Sequence, residues 1–592
     1  MTPGPRYRAL VYLTLLASFL VVVWGGVVRV SGSGLGCPDW PTCHGQFLPG
    51  LDVATQIEWF HRFLGVAGGL TLAALGITTI AAHRHDRAML WLVVAAGALY
   101  IFQAVLGAVV VLLELPDTWV TAHLANAELV LAVLTTLAVR VRWPSVASAR
   151  VPGAPWTALL LAATVGTYVL MLTGAYVRGD GATTACTTWP FCDDGAFPMF
   201  GVAAIHMAHR WVAGIVGVVV LLGCWQAWKH RREADGLGPL AVITAVVFVI
   251  QVLVGAANPL SGFSPWALGA HPAVASLLWC CVVAMTVVAC QPAWLAGGPM
   301  PSRQVVADLV ALTKPAIMSL LLLTALGGMF LAERGIPSFG LLAATLVGGA
   351  AASGGASALN HYFDRDIDER MRRTRRRPLP SQRVPDEWAI GIGIALNVIA
   401  FAVLAIWTNV LAASLAILGT LFYIFVYTLW LKRSTVQNIV IGGAAGAIPP
   451  LVGWAAVTGS LDLGAWLLFA IVFFWTPAHF WALALLIRDD YARAGIPMLP
   501  VVRGDDAATF GIFTYALSLV PLSLLLFVSG GLGLLYLVAA IALGVIFVAY
   551  ALRLMRAAVE RRRAIARGVY LYSLLYLALL FVAIMVDTSL RL

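Results

Sequence analysis

Long apolar segments alternate with short polar loops along the whole chain of 592 residues. Each apolar segment has roughly 20 residues, enough for a helix to cross about 30 Å of hydrocarbon while satisfying its own backbone hydrogen bonds. About eight such segments precede residue 291 and about nine follow it. The pattern therefore predicts an all-α polytopic membrane protein with about 17 transmembrane helices.

The first half of the chain contains an internal duplication. Residues 58–62 recur at 206–210, and Gln103 and His123 recur as Gln251 and His271, all 148 residues apart. A loop recurs at an offset of 149 residues, with Arg29, Cys37, Trp40-Pro41 and Cys43 matching Arg178, Cys186, Trp189-Pro190 and Cys192. Self-similarity at a fixed period indicates a repeated structural unit. We predict two four-helix units, at about 8–145 and 155–290, that form a duplicated bundle in a first domain, 1–290.

Composition and charge restrict the class of protein. Hydrophobic residues make up 61% of the chain and charged residues 11%, against about 25% charged residues in soluble domains. The net charge of +10 does not indicate nucleic-acid binding, because Lys and Arg lie in short alternate loops, where they orient membrane helices. This distribution predicts a cytoplasmic N-terminus and an outer C-terminus. The Pro- and Gly-rich segment 291–304 is predicted to be a cytoplasmic linker to a second domain, 305–592.

Four of the eight cysteines form matched pairs in two loops that the charge distribution places outside the membrane. Disulfides are favoured in that environment, so we predict the bonds Cys37–Cys43 and Cys186–Cys192. A metal site is the alternative interpretation, but each loop offers two sulfur atoms and His44 is not repeated.

Four histidines in the apolar segments form two pairs, His61 with His123 and His209 with His271. A histidine inside a membrane is costly unless it faces a partner or a cofactor. The members of each pair lie near the outer ends of their helices, so both can approach one iron from opposite faces. Imidazole is a common axial ligand of haem, and a four-helix unit can hold the macrocycle between facing helices. The sequence therefore predicts two bis-histidine haem sites.

Residues beside the ligand histidines differ between the two copies. Arg62 and Arg210 directly follow ligand histidines and are candidates for pairing with haem propionates; snorkelling to the interface is the alternative. Glu58 lies one helical turn before His61, on the same face, and is replaced by His206 in the second copy. This difference predicts chemistry at the first site and electron transfer at the second.

Residues 1 to about 290 resemble the haem A synthase family, which oxidises a methyl group of haem O to a formyl group. The resemblance rests on Glu-x-x-His-Arg at 58–62, the later histidines, the cysteine loops and the duplication. It implies that Glu58, His61 and His123 form the substrate haem site, and that His209 and His271 bind a haem b cofactor. It also implies an unidentified electron acceptor and haem-copper oxidase assembly as the destination of the product.

The second half contains acidic residues at a regular spacing. Asn360, Asp364 and Asp368 recur at intervals of four, which places them on one face of a helix, whereas Arg365 and Asp366 fall off that face. Such oxygen ligands suit Mg²⁺, which often bridges to substrate phosphates. A salt-bridged loop without a metal is the alternative interpretation.

A second acidic motif, Asp489-Asp490-Tyr491, lies at the cytoplasmic end of a later apolar segment. Two carboxylate clusters on one side of the membrane can clamp a diphosphate through a metal, and its departure leaves an allylic cation that must be protected from water. The cations Lys432, Arg373 and Arg377 are candidates to neutralise the leaving group. Orientation of the helices by positive charge is the alternative role for each of them.

Residues 305–592 resemble the protoheme IX farnesyltransferase (haem O synthase) family of UbiA-type intramembrane prenyltransferases. The shared motifs include Leu312-Thr313-Lys314-Pro315, Asn360-x3-Asp364-x3-Asp368, Arg377-Pro378-Leu379, Pro449-Pro450 and Asp490-Tyr491. The resemblance implies a nine-helix bundle, haem b and farnesyl diphosphate as substrates, and a diphosphate and Mg²⁺ site at Asn360, Asp364, Asp368 and Asp490. The chain departs from the broader pattern at Ala494, where a second Asp is usual, and at Ala478, which precedes His479; that histidine either contacts haem or packs between helices.

The two resemblances together imply a bifunctional enzyme of a bacterial cell membrane that converts haem b to haem O and then haem O to haem A. The alternative is a bis-haem membrane electron carrier fused to a quinone-type aromatic prenyltransferase. Glu58 distinguishes the two readings, because an electron carrier should tolerate Glu58→Gln. A transporter with a duplicated core is disfavoured, since broken mid-membrane helices are not evident.

Overall fold

The fold was analysed in a computed structural model, which describes residues 3–47, 50–143, 155–179, 181–193, 198, 201–290 and 303–590. Within these ranges the protein is helical, without strands, and 17 helices are long and apolar enough to cross a membrane. The all-α prediction and the number of helices are therefore confirmed. The chain divides into two compact units, 1–302 and 303–592. Most of the predicted linker, 291–302, lies outside the described residues, whereas Arg303 and Gln304 begin a helix, Arg303–Leu312.

Unit 1 contains eight spanning helices. They are α1 Pro5–Val30, α2 Val53–His83, α3 Arg87–Leu112, α4 Asp117–Arg142, α5 Pro155–Gly179, α6 Gly201–Lys229, α7 Leu237–Leu260 and α8 Pro265–Cys290. In the first copy α1 packs on α2 and α4, and α3 packs on α4; the second copy repeats these contacts with α5 to α8. The copies meet where α4 packs on α8, α1 on α8 and α4 on α5.

Unit 2 contains nine spanning helices. They are α9 Pro315–Glu333, α10 Phe339–Phe363, α11 Asp386–Trp407, α12 Val410–Ser434, α13 Asn438–Thr458, α14 Leu463–Leu486, α15 Gly504–Gly530, α16 Leu534–Met555 and α17 Val559–Leu590. Short helices Arg365–Arg370, Arg488–Ala494 and Leu499–Val502 lie in the loops. A large apolar cluster joins α14, α15, α16 and α17. Part of α12, Phe422–Leu431, is π-helical, a geometry that frequently accompanies functional sites.

Glycines allow α9 and α13 to approach closely. A Cβ atom at Gly453 would overlap the carbonyl oxygen of Ala325, and one at Gly328 would overlap the carbonyl oxygen of Pro450. Small residues at such crossings let backbones touch, which is how helices gain packing contacts in a membrane. Neither overlap can be relieved by a side-chain rotation, because the facing atoms belong to the backbone.

We expect Gly453→Ala to destabilise unit 2 by about 1–3 kcal/mol, the usual cost of overpacking a tight site. The measurement is the apparent melting temperature of the full chain in detergent. The matched control is Gly446→Ala on the same helix, where a Cβ meets nothing within 4 Å and the better helix propensity of Ala should leave stability equal or slightly higher. Equal melting temperatures for the two variants would contradict the close approach.

Candidate functional site

Each of the four predicted ligand histidines packs against a glycine on the neighbouring helix. A Cβ atom would lie 3.1 Å from His61 Cε1 if built at Gly25, and 3.2 Å from the Cε1 atom of the facing histidine at each of the other three positions. The other pairs are Gly107 with His123, Gly174 with His209, and Gly255 with His271. In both copies each imidazole therefore packs closely against a glycine, where a larger residue would push the ring by a few tenths of an ångström.

The second copy holds its imidazoles by hydrogen bonds. Thr173 Oγ1 donates to the carbonyl oxygen of Leu170 (2.8 Å) and lies 2.7 Å from Nδ1 of His209. With the hydroxyl proton directed to Leu170, this oxygen accepts the Nδ1 proton, which leaves Nε2 of His209 without a proton and able to bind a metal. The side-chain amide nitrogen of Gln251 lies 3.3 Å from Nδ1 and 3.4 Å from Nε2 of His271, so it contacts the ring without selecting one nitrogen.

The first copy lacks both of these contacts. The Nδ1 atoms of His61 and His123 are buried without a hydrogen-bond partner. The residue that corresponds to Thr173 is Trp24, whose indole donates to the carbonyl oxygen of Ile57 instead. Gln103, which corresponds to Gln251, accepts a hydrogen bond from Asn126 (2.7 Å). The two sites therefore share a framework but differ in how firmly the imidazoles are oriented.

Arg62 fastens the loop 37–43 of the first copy to α2. Its guanidinium donates to the carbonyl oxygens of Cys37 (2.8 Å), Asp39 (2.7 Å) and Thr42 (2.7 Å), and Nε lies 3.0 Å from Glu58 Oε1. Cys37 and Cys43 of the same loop are joined by a disulfide, and Glu58 is 5% exposed. Glu58 is thus a buried carboxylate held by one cation beside His61.

Arg210 does the same in the second copy. It donates to the carbonyl oxygens of Thr188 (2.8 Å) and Pro190 (3.1 Å), and its Nη2 lies 3.3 Å from Nε2 of His206, the residue in the position of Glu58. The loop contains the disulfide Cys186–Cys192. The hydrogen bonds of Arg62 and Arg210 thus go to their own loops, and pairing with haem propionates stays a prediction.

The two pairs of histidines fit haem in two respects. Their imidazoles would supply two axial nitrogens in each copy. The glycines pack against each ring, and the contact of His209 Nδ1 with Thr173 is the kind of outer hydrogen bond that usually orients a metal-binding histidine.

The acidic motif of unit 2 surrounds a break in the helix. α10 ends at Phe363 and a short helix begins at Arg365, so Asn360, Asp364 and Asp368 do not lie on one continuous helix as predicted. Backbone bonds from Asp364 N to the oxygen of Asn360 (2.9 Å) and from Asp368 N to the oxygen of Asp364 (2.8 Å) nevertheless keep the four-residue spacing. All three side chains are buried.

The carboxyl group of Asp364 lies at the centre of this motif. Its Oδ2 accepts hydrogen bonds from Asn360 Nδ2 (2.7 Å) and Lys432 Nζ (2.6 Å), and its Oδ1 is buried without a partner. Asn360 also contacts Thr428 on the π-helical segment (3.1 Å) and accepts from Lys314 Nζ (2.9 Å). The extra residue of a π-helical turn brings Thr428 and Lys432 to the motif.

The neighbouring charged residues form a buried pair and an exposed pair. The buried Asp368 pairs with Arg377 (2.7 Å). Asp366 is exposed, off the face of the motif as predicted, and makes two hydrogen bonds of 2.8 Å with Arg433. The Arg433 hydrogen bonds hold the pKa of Asp366 below its usual range.

The second acidic motif packs beside the first. Ile367 and Met371 form an apolar cluster with Tyr491, Ala494 and residues of α13 and α14, so the helices 365–370 and 488–494 touch. Asp490 is buried and pairs with Arg493, whereas Asp489 is exposed. Burial raises the pKa of Tyr491, and the nearby charges of Arg373 and Arg377 oppose that rise. Ala494, the departure from the broader pattern, is a packing residue.

His479 lies in an aromatic stack. Its ring is 4.4 Å from that of Trp475 and 4.9 Å from that of Tyr570, and Nδ1 lies 2.7 Å from Ser573 Oγ on α17. These contacts favour the helix-packing interpretation of His479 over a haem contact.

The acidic motif suits a metal that is shared with a substrate. Among the described residues, no three His, Cys, Asp or Glu side chains are close enough to hold a metal by themselves. Mg²⁺ commonly takes one or two carboxylates and completes its shell with water and substrate phosphates. The unpartnered Oδ1 of Asp364 fits that mode, because Lys432 binds the other oxygen of this carboxylate and Lys314 binds the neighbouring Asn360.

Several contacts were not predicted from the sequence. The sequence gives Lys314 only as part of a motif, and it does not by itself predict the four glycines that face the histidines. The repeat itself contained the signal for the glycines, because Gly25 and Gly174 are 149 residues apart and Gly107 and Gly255 are 148 apart. The π-helical turn had no clear sequence signal.

Two family models match this chain. Residues 8–283 match the family described as cytochrome oxidase assembly protein, with a second overlapping match at 201–341. Residues 321–584 match the UbiA prenyltransferase family. The protein is therefore of a class that joins a cytochrome oxidase assembly domain to an intramembrane prenyltransferase.

Relatives named protoheme IX farnesyltransferase match most of the chain. One from Thermus thermophilus is 38% identical and covers 97% of each chain. One from Roseiflexus sp. is 43% identical over 72% of this chain and 83% of its own, and one from Gloeobacter violaceus is 53% identical over 48% and 92%. The chain belongs to the protoheme IX farnesyltransferase family. The predicted resemblance of the first half to haem A synthase, an oxidoreductase, and of the second half to a prenyltransferase is confirmed.

Proposed function

We propose that the chain farnesylates haem b to haem O in unit 2 and oxidises haem O to haem A in unit 1. Membership of the farnesyltransferase family supports the first step, and the match of the first half to the cytochrome oxidase assembly family supports the second. Haem O links the two reactions, as product of one and substrate of the other. The second step depends on the difference between the two histidine sites.

The orientation of the imidazoles supports this division. A permanent cofactor benefits from ligands fixed by outer hydrogen bonds, as at His209 with Thr173. A substrate must enter and leave, so the unfastened imidazoles of His61 and His123 suit haem O. The haem b held by His209 and His271 would supply one-electron transfer.

Glu58 is the proposed catalytic group of the oxidation. Its carboxylate is buried, lies one turn from His61 and is held in place by Arg62. In that position it can accept the proton released when a methyl carbon of haem O is oxidised. The loop carbonyls that bind Arg62 keep the guanidinium aimed at Glu58.

Asp364 is the centre of the proposed prenyl transfer. Together with Asn360, Asp368 and Asp490 it would hold Mg²⁺, which would neutralise the diphosphate and polarise its bond to farnesyl. Lys432 adds positive charge beside Asp364, and Arg377 adds positive charge beside Asp368. Burial would limit water around the allylic carbon while a vinyl group of haem b forms the new bond and the diphosphate leaves. The positive charge that moves to the former vinyl carbon would then be captured by one water molecule, which loses a proton.

We further propose a bacterial cell membrane as the location, with the N-terminus in the cytoplasm and the C-terminus outside. The alternation of basic loops supports this orientation. The product would pass to haem-copper oxidase assembly, and an electron acceptor outside this chain would complete the oxidation.

We expect Asp364→Asn to lower haem O formation by about 100-fold, the scale on which loss of one preorganised charge lowers turnover. The measurement is mass spectrometry of haems extracted from a host that makes haem b but neither haem O nor haem A. Asp366→Asn is the matched control, because that carboxylate is exposed and pairs with Arg433, away from the buried motif. Unchanged haem O in the Asp364 variant would refute the diphosphate assignment.

We expect Glu58→Gln to keep haem O formation and to lose haem A by about 100-fold or more, the usual contribution of a general acid or base. The same extraction gives both products in one measurement. Glu114→Gln, in the loop after α3, should leave both unchanged. A Glu58 variant that still makes haem A at the original rate would favour an electron carrier.

We expect Thr173→Val to weaken haem b binding by about 10- to 100-fold, as for other outer-shell partners of metal-binding histidines. The substitution keeps the shape of the side chain and removes the acceptor for His209 Nδ1. Thr167→Val on the same helix is the control, because its hydroxyl bonds to the carbonyl oxygen of Ala163. The b-type absorbance retained per mole of purified protein would separate them; equal retention would contradict the assignment of His209.

A further inference from the structure

A buried carboxyl group lies where the two copies of unit 1 meet. Glu128 on α4 is fully buried, and its Oε1 accepts a hydrogen bond of 2.6 Å from Ser276 on α8. Its backbone oxygen accepts from the indole of Trp279, also on α8 (2.8 Å). The second carboxyl oxygen, Oε2, has no hydrogen-bond partner. Glu128 is therefore one of the least compensated polar groups of this unit.

The position of Glu128 relates it equally to both histidine sites. Glu128 follows His123 by five residues, and Ser276 follows His271 by five residues. At 1.5 Å per residue, each lies about 7.5 Å along its helix from a predicted ligand. The Glu128–Ser276 bond therefore joins equivalent positions of the two copies, at the same depth below one ligand of each site.

Packing alone does not explain a carboxyl group at this place. Leu131, Trp279 and Val283 form the surrounding apolar cluster, with Phe19 and Val22 of α1 packed against it. Burying an ionisable group in such surroundings is costly, and a serine serves at the same position of the second copy. Intramembrane carboxyl groups of this kind are usually functional.

The charge of Glu128 is not neutralised by the groups around it. The titratable groups that interact electrostatically with Glu128 are Tyr168 on α5 and Cys280 on α8. Both side chains are ordinarily uncharged near neutral pH. The contacts from α3 to this part of α4 are the backbone oxygen of Leu99 and the amide of Gln103, both on Asn126. A change of charge at either iron would thus reach Glu128 with little screening.

We propose that Glu128 is a proton-holding group shared by the two haem sites. Its carboxylate takes up one proton when the iron held by His209 and His271 gains one electron, and releases that proton when the electron leaves. The electron comes from the oxidation of substrate at the first site. The negative charge that it brings to the iron is balanced by the positive charge of the proton that Glu128 takes up. Glu128 is a positioning residue: it acts on the haem through its charge and does not touch the substrate. This inference rests on the proposed haem sites.

The test is a potentiometric titration of the haem in the purified full chain, followed by its b-type spectrum on both sides of neutral pH. The wild-type midpoint potential should fall as pH rises, approaching about 59 mV per unit for one proton per electron. Glu128→Gln keeps an acceptor for Ser276 but cannot take up a proton, so its potential should lose this dependence. Infrared difference spectra, reduced minus oxidised, should show a protonated carboxyl band in the wild type that Glu128→Gln lacks.

Ser276→Ala provides a second variant that keeps the carboxyl group. Because the ionised form loses a hydrogen bond, the pH dependence should remain and move to higher pH. A slope that is the same in wild type and Glu128→Gln would assign the proton to another group and overturn the inference, as would a flat wild-type titration. Absence of any b-type spectrum in the wild type would overturn the proposed haem site itself, which separates the two failures.

Discussion

Water does not reach the interior of a membrane bundle, so each polar side chain there depends on partners supplied by the protein itself. This constraint makes single hydrogen bonds decisive in unit 1. Because Thr173 donates its proton to Leu170, it can only accept from His209, and the tautomer of that imidazole follows. Where the partner is missing, as for His61 and His123, the ring is held by packing alone.

The duplication shows how one framework serves two purposes. The glycine and histidine pairs are the same in both copies, so the helices meet at the same distance around each imidazole. The differences lie one step further out. Trp24 is at the position of Thr173 in the second copy. Asn126, which donates a hydrogen bond to Gln103, is at the position of Val274. Two residue differences beside the histidines thus accompany the difference between hydrogen-bonded and unpartnered rings.

The sequence was most informative where spacing is regular. The helix number followed from apolar length, and the paired histidines and cysteines followed from the repeat. It failed where geometry depends on local backbone changes, such as the break at Asp364 and the π-helical turn that brings Lys432 to that carboxylate. It did not predict that the carbonyl oxygens of a folded loop bind the guanidinium of Arg62. Those carbonyls carry no side-chain signal.

The Arg62 contacts connect the 37–43 loop to the proposed chemistry. Burying a carboxyl group such as Glu58 is costly unless a cation lies beside it. Arg62 can remain there because three carbonyl oxygens of the 37–43 loop fix its guanidinium, and the Cys37–Cys43 disulfide closes that loop. The disulfide therefore acts on Glu58 through one arginine, although neither cysteine touches the carboxylate. In the second copy the corresponding loop, closed by the Cys186–Cys192 disulfide, binds Arg210, and Arg210 contacts His206 instead of a glutamate. The loop-to-arginine contacts are therefore kept, whereas the side chain beside the arginine differs.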